Sequence, residues 1–315
     1  MQRNELLERV RFFLARTGFY VSRPLPRRSI SFDMVARRDD TLMIVKVLSN
    51  VDAFSRDNAE EMKVLAEALE ASPLLVGERS GSGKIEEGIV YSRFSVPIIA
   101  VETLADYLME GVPPFIFAAP GGLYVKLDSP RLKSIREERN ISLGTLAEVA
   151  GVSRRTIQMY ESGMGAMIDA ALRLEEYLDE SLVLPIDPLA HSSECRGYEM
   201  ELQELDIFSK EIFEMLSSMG FSILPTVKCP FEALTSDDDL MFLTGLGKDE
   251  RKLKDKARMV TDISRITEKR SVIFIERIKS KGNVEGTALI GRDELKKLGN
   301  TDKLLDLVEN RSDSR

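Results

Sequence analysis

The chain has 315 residues, a hydrophobic fraction of 43% and a net charge of −8. That length calls for two or three cored domains, and the composition excludes a disordered chain or an indiscriminate coat for nucleic acid. No run approaches the roughly 18 apolar residues that span a bilayer, Met1–Glu5 lacks the apolar core of a signal peptide, and a cytoplasmic protein is expected.

Residues 1–38 hold nine arginines (Arg3, Arg9, Arg11, Arg16, Arg23, Arg27, Arg28, Arg37, Arg38) against Glu5, Glu8 and Asp33. A local basic patch on an acidic chain can make a directed phosphate contact, or it is a solvated helix face followed by an Arg-rich loop. Short apolar, β-branched runs with Asp-rich turns follow the first helix and read as strands. Helix Arg56–Glu70, strand Leu74–Val76 before Glu78-Arg79, and a strand and helix over Pro97–Leu108 complete the segment. Gly81-Ser82-Gly83-Lys84 lacks the spacing of a phosphate-binding Walker loop and reads as a flexible turn.

Residues 111–127 alternate around Pro120-Gly121-Gly122, as a β-hairpin does. Asp128-Ser129-Pro130 then starts a helix with proline in its first turn. Two short helices follow, joined at Gly151; Ser142 and Ser153 occupy their N-cap positions. After Leu178, residues 182–197 read as a linker. It holds His191 and Cys195; with Cys229 these are the only histidine and cysteines, too few for a zinc site or a disulfide framework. No metal site, cofactor or small-molecule substrate is expected.

The remainder repeats the first segment. Gly18-Phe19 matches Gly220-Phe221, Phe32-Asp33 matches Phe231-Glu232, and Leu42-Met43 matches Leu240-Met241 with one residue deleted in the second hairpin turn. Helix Glu250–Thr267, strand Val272–Ile275 before Glu276-Arg277, and a strand and helix over Ala288–Leu298 keep the order. Each copy reads helix, three strands, helix, two strands, helix, which suits a mixed sheet covered by helices.

The segment Arg131–Leu178 resembles the Cro and phage-repressor (XRE) helix-turn-helix domain. The matching positions are Leu132, Arg136, Ser142, Leu146, Ala147, the run Ala150-Gly151-Val152-Ser153, Ile157, Tyr160-Glu161, Gly163 and the closing helix Ala170–Leu178. The resemblance implies a buried ion pair between Glu161 and Arg136. It also implies that the second helix of the pair reads DNA. Arg154 and Arg155 suit guanine and Gln158 suits adenine, while Ser142, Ser153 and Thr156 suit phosphate. Leu143-Gly144 departs from the family, which often has glutamine and an acid there. That change weakens a phosphate grip or marks a partner surface. Between Asp128 and Leu182 acids outnumber bases ten to seven, so one module alone would bind DNA weakly.

The first copy resembles the restriction-endonuclease and Holliday-junction-resolvase fold through its N-terminal helix, Phe32-Asp33 on a strand, a hairpin, and a strand ending in Lys46. Active members hold magnesium with an acid on the first strand and Glu-x-Lys on the next. Here Asp33 and Lys46 fill two positions, but Ile44 replaces the glutamate. Asp33 and Lys46 can equally be an inherited ion pair or a surface pair, and Glu60 or Glu61 could migrate into the site. The second copy keeps Glu232 but has Phe242-Leu243-Thr244 for the triplet.

The whole resembles archaeal HTH-type transcriptional regulators with a nuclease-like N-terminal domain. The expected fold class is α/β multidomain, with two nuclease-like mixed-sheet domains (1–110 and 198–315) flanking an all-α helix-turn-helix domain (128–181), a hairpin connector at 111–127 and the linker at 182–197. The expected function is a sequence-specific regulator on double-stranded DNA, a homodimer or a pairing of both copies within one chain, with inactive nuclease-like domains. The alternatives are a magnesium-dependent structure-selective nuclease, a junction-binding protein, or an interaction scaffold without DNA affinity.

Overall fold

A computed structural model describes residues 3–25, 30–190, 206–238, 240–247, 253–276 and 282–312. Arg27, Arg28, His191, Cys195, Glu250, Arg277 and the rest of the expected linker after 190 lie outside the described residues. The chain divides into two compact units. One gathers 1–17, 47–54 and 73–191, and the other 18–46, 55–72 and 192–315.

The first repeat begins with α1 (Arg3–Arg16), β1 (Tyr20–Val21), β2 (Met34–Arg38), β3 (Thr41–Asn50) and α2 (Arg56–Ala68). It continues through β4 (Ser72–Ser80), β5 (Gly83–Lys84), β6 (Ile89–Arg93), β7 (Val96–Ile99) and α3 (Val101–Ala105), which runs on as a π-turn to Glu110. The hairpin is β8 (Ile116–Ala119) and β9 (Gly122–Leu127). The helix-turn-helix region is α4 (Ser129–Glu138), α5 (Leu143–Ala150), α6 (Arg154–Glu161), β10 (Ala166–Met167), α7 (Ile168–Leu178) and β11 (Val183–Leu184). The second repeat comprises α8 (Ile207–Ser218), β12 (Ser222–Pro225), β13 (Ala233–Ser236), β14 (Met241–Gly247), α9 (Lys254–Thr267), β15 (Arg270–Ile275), β16 (Asn283–Val284), β17 (Thr287–Gly291), α10 (Arg292–Leu298) and α11 (Thr301–Ser312).

Duplication is visible in the strand order. The first repeat runs β1-β2-β3-β4-β7-β6 and the second β12-β13-β14-β15-β17-β16. Pairing directions agree as well. The first two strands of each are antiparallel, β4–β7 and β15–β17 are parallel, and the last strand of each returns antiparallel. A glutamate with left-handed backbone follows both long helices, Glu70 at φ 53° just beyond the cap of α2 and Glu268 at φ 56° capping α9.

Register corrects the sequence alignment. Val35 pairs with Ile44 and Leu234 with Leu243. The Asp33 amide donates to the Val45 carbonyl and the Glu232 amide to the Thr244 carbonyl. Arg37 faces Leu42 as Ser236 faces Met241, so no residue is deleted in the second turn. The true counterpart of Ile44-Val45-Lys46 is Leu243-Thr244-Gly245. The shared Leu-Met dipeptide suggested a one-residue shift, and in a strand such a shift exchanges the two faces.

Two expected boundaries also change. By compactness the expected segment 1–110 falls into both units, with β2 packed against α9 inside the second. In that unit Arg37 pairs with Glu268 at 2.8 Å and the Arg23 amide donates to Asp262. Parts of both copies therefore pack together inside that unit. The linker expected from 182 starts later, since Val183 and Leu184 pair with Leu127 and Lys126 of β9 and the Ile186 amide donates to the Pro114 carbonyl. Unpaired strand edges leave backbone groups unsatisfied, and β9 satisfies those of both β10 and β11. Val125, Leu127 and Leu182 share one core with the four helices.

Candidate nucleic-acid interface

The helix-turn-helix is built from local rules. The Ser142 hydroxyl accepts from the Thr145 amide at 3.0 Å, and the Ser153 hydroxyl from the Thr156 amide at 3.1 Å. Each satisfies a first-turn N–H that the helix cannot pair by itself. Between them Gly151 has φ 70° and ψ 34°, a left-handed conformation that glycine adopts without steric cost. Leu146, Ala147, Ala150, Ile157 and Tyr160 point into the core with Leu132 and Leu174. The Ser129 hydroxyl donates to the Tyr160 carbonyl at 2.5 Å and ties α4 to the end of α6.

The expected ion pair forms. Arg136 grips Glu161 through Nε at 2.5 Å and through its terminal nitrogen at 3.1 Å, a two-pronged contact. The hydrogen bond it donates to Glu161 holds the Arg136 guanidinium protonated beyond its ordinary range. This pair joins α4 to the last residue of α6. The Ser153 cap therefore fixes where α6 starts, and Glu161 ties its end to α4.

With Ile157 and Tyr160 inward, Arg154, Arg155 and Gln158 are exposed on the opposite face of α6. Ser142 and Ser153 are exposed and Thr156 is half-buried. The two serines already serve as caps, and the Ser153 and Thr156 hydroxyls lie 2.9 Å apart. Leu143 packs half-buried on the module's own core. Gly144 has a role that sequence reasoning missed. A Cβ there would lie 3.1 Å from two guanidinium nitrogens of Arg154. Glycine thus leaves the space in which that guanidinium lies at the start of α5. The odd residue was visible in the sequence, but its neighbour across the turn was not.

The second cluster lies in the repeats. The Lys46 ammonium is 3.4 Å from Asp33 and donates to the Ile30 carbonyl at 2.5 Å. Both side chains are essentially fully buried, at 1% and 0% exposure, so this is no surface pair. Ile44, on the same face of β3 as Lys46 by strand alternation, is fully buried. Glu61 did turn inward, but not to free the site. Its carboxylate accepts from the Ser31 hydroxyl and from the amides of Val227 at 2.7 Å and Lys228 at 2.9 Å. Glu60 instead pairs with Lys63 at 3.0 Å.

Beside Glu61 sits Cys229, 3.5 Å from its carboxylate. Desolvation of the sulfur, and then the charge of Glu61, push this thiol well above its ordinary range. In the second repeat Glu232 keeps the acid position but meets Lys256 of α9, which also donates to the Leu246 carbonyl at 2.7 Å. Lysine has moved from strand to helix. These donors do not suit a hard cation, which needs several free oxygen ligands. Asp33 faces an ammonium, Glu61 is saturated by amides, and Ile44 offers no oxygen. Among the described residues no three His, Cys, Asp or Glu side chains converge as a metal site, and no helix is long and apolar enough to cross a membrane.

Comparison with known proteins finds two family matches. Residues 3–114 match the PD-(D/E)XK superfamily domain and residues 132–184 match the helix-turn-helix family. A protein of Natronomonas pharaonis is 38% identical over 317 residues, covering 99% of this chain and 100% of its own. Proteins of Methanocella arvoryzae and Halorubrum lacusprofundi are 38% and 37% identical, covering 99% of this chain and 97% and 98% of theirs. Each carries the name "Putative HTH-type transcriptional regulatory protein". The chain belongs to this family. No solved structure matches it. The HTH-type regulator thus combines a DNA-binding helix-turn-helix with a PD-(D/E)XK region, inside the expected α/β architecture. The residues that sequence reasoning missed in this regulator are Gly144, the amides at 227 and 228, and Lys256. None has a local pattern, because each acts on a partner outside its own helix or strand.

Proposed function

We propose that this regulator reads specific sites on double-stranded DNA with α6. The observation that carries this reading is the exposed triad of Arg154, Arg155 and Gln158 on a helix capped at its start and tied to α4 at its end. Arginine bonds guanine in two-pronged fashion and glutamine does so with adenine. Ser142, Ser153 and Thr156 border the same helix starts and suit phosphate, where first-turn N–H groups favour anions. The guanidinium of Arg154, lying over Gly144, is the base contact most dependent on its neighbour.

In this reading the helix-turn-helix domain spans residues 128–181 and acts as a homodimer on paired half-sites. The acidic balance of a single module disfavours lone binding. The repeats are inactive supports for dimerisation or backbone contact, since neither holds a free set of carboxylates.

The deciding experiment is selection of genomic fragments at about 150 mM salt, a concentration that suppresses non-specific electrostatic binding. A few fragments should be enriched. Arg154→Ala with Arg155→Ala should weaken binding to them at least ~30-fold, given ~1–3 kcal/mol per lost two-pronged base contact. Sequence-blind capture sinks the reading. Magnesium-dependent DNA cleavage that is abolished in Asp33→Ala sinks the inactive-support part of it.

A further inference from the structure

We propose that the PD-(D/E)XK region carries a binding site for a small phosphate-bearing molecule, separate from α6 and from the Asp33–Lys46 pair. The site is a cavity of about 770 Å³, within the usual size range for small-molecule pockets. It lies in one compact unit, at the carboxyl ends of β4 and β7. Those strands pair in parallel through Leu75–Ile98 and Val76–Ile99, and Gly77 to Ser80 and Val101-Glu102 follow directly and line the cavity. Open α/β sheets bind ligands at the carboxyl ends of parallel strands.

The charge arrangement supplies the ligand's chemistry. Arg79 and Lys84 are direct cross-strand partners on the β4–β5 hairpin. Like charges directly opposite each other destabilise a hairpin. Among the described residues neither side chain has an acidic partner within ion-pair distance, and both line the cavity. The third cation, Arg9, is held at 3.3 Å by Glu102, and Glu78 also lines the wall. A dianionic phosphate between Arg79 and Lys84 would turn their repulsion into two charge-assisted contacts.

Two further features fit a built site. The Ser49 hydroxyl on the cavity wall is buried and makes no hydrogen bond, a costly state that a ligand's polar group can relieve. The turn between the two cations is fixed in advance. Asp52 accepts from the Gly81 amide at 2.5 Å and is itself held by Arg93 at 3.1 Å. The loop that sequence reasoning set aside for its wrong Walker spacing thus presents cations by a different route. It uses a two-residue hairpin turn and side chains, with no row of free amides.

The test is isothermal titration of the full chain with inorganic phosphate, with AMP and with a short DNA duplex. Saturable binding of phosphate or AMP is expected. It should fall at least ~10-fold in Arg79→Gln with Lys84→Gln, the loss of one charge-assisted bond or more. Arg154→Ala with Arg155→Ala should leave it unchanged, which separates this site from the DNA reading. Ser49→Ala checks the wall and should weaken AMP without unfolding the protein, as read by circular dichroism. No saturable binding of either small ligand, or equal binding by the Arg79/Lys84 variant, overturns the proposal. So does a cation pair whose loss affects the duplex alone.

Discussion

The two repeats share a strand order and differ in how they neutralise the same acidic position. In the first, Asp33 meets Lys46 across two paired strands, with both groups out of solvent. In the second, Glu232 meets Lys256 from a helix, with side-chain exposures of 34% and 20%. The strand position that holds Lys46 in one copy is Gly245 in the other, packed close on Ile273. The sheet therefore does not depend on which element supplies the cation. A fold fixed by apolar strands such as Met43–Val45 and Val272–Ile275 leaves its polar positions free to change.

The largest effect should come from breaking the buried pair. Lys46→Ala takes the ammonium away from a buried carboxylate and should cost about 3–5 kcal/mol, whereas Lys256→Ala should cost about 1 kcal/mol because water screens that pair. Urea denaturation of both variants measures the gap; equal losses would erase the contrast drawn here. Next comes Glu61→Gln. It keeps the size but turns one acceptor for the Ser31 hydroxyl and the 227 and 228 amides into a donor, at about 1–3 kcal/mol in the same assay. An unchanged midpoint would mean the amides find water instead.

Cys229 tests the environment of Glu61 by rate. With its thiol pushed up by burial, it should be alkylated by iodoacetamide at mildly alkaline pH roughly ten-fold more slowly than a free cysteine. Cys195→Ser removes the other thiol from the assay. Fast labelling would show the sulfur is not desolvated. The smallest effect lies in the second repeat. Arg311 donates to Glu294 at 2.8 Å and holds its carboxyl below the usual range. A carboxyl lowered on folding stabilises above its unfolded value, and that contribution is lost as pH falls through the folded one. Glu294→Gln should therefore lower stability at neutral pH and flatten the acid limb of the stability curve. An unaltered acid limb would assign that slope to other carboxylates.

Much of the helix-turn-helix was legible in sequence because its rules are local. A serine cap acts three residues on, a turn needs a left-handed glycine, and a buried stripe repeats with the helical period. The Arg136–Glu161 pair came through the family resemblance. Gly144 shows where locality ends: its role is the space it leaves for Arg154, across the turn. In the repeats, the order of elements was legible from apolar runs, yet the register was not. Leu42-Met43 and Leu240-Met241 look alike, and only the strand register shows that Leu42 corresponds to Met241.

By itself, then, the sequence determined the class of most elements, the duplication, the family and the face of α6 that carries Arg154, Arg155 and Gln158. These follow from periodicity and short-range hydrogen bonding. Tertiary structure decided what lies beyond the reach of either. The first repeat is shared between two compact units, Glu61 is spent on the amides of Val227 and Lys228, and Arg79 and Lys84 face each other beside a cavity. Each depends on residues brought together by long chain excursions, whose closure leaves no periodic trace in the sequence.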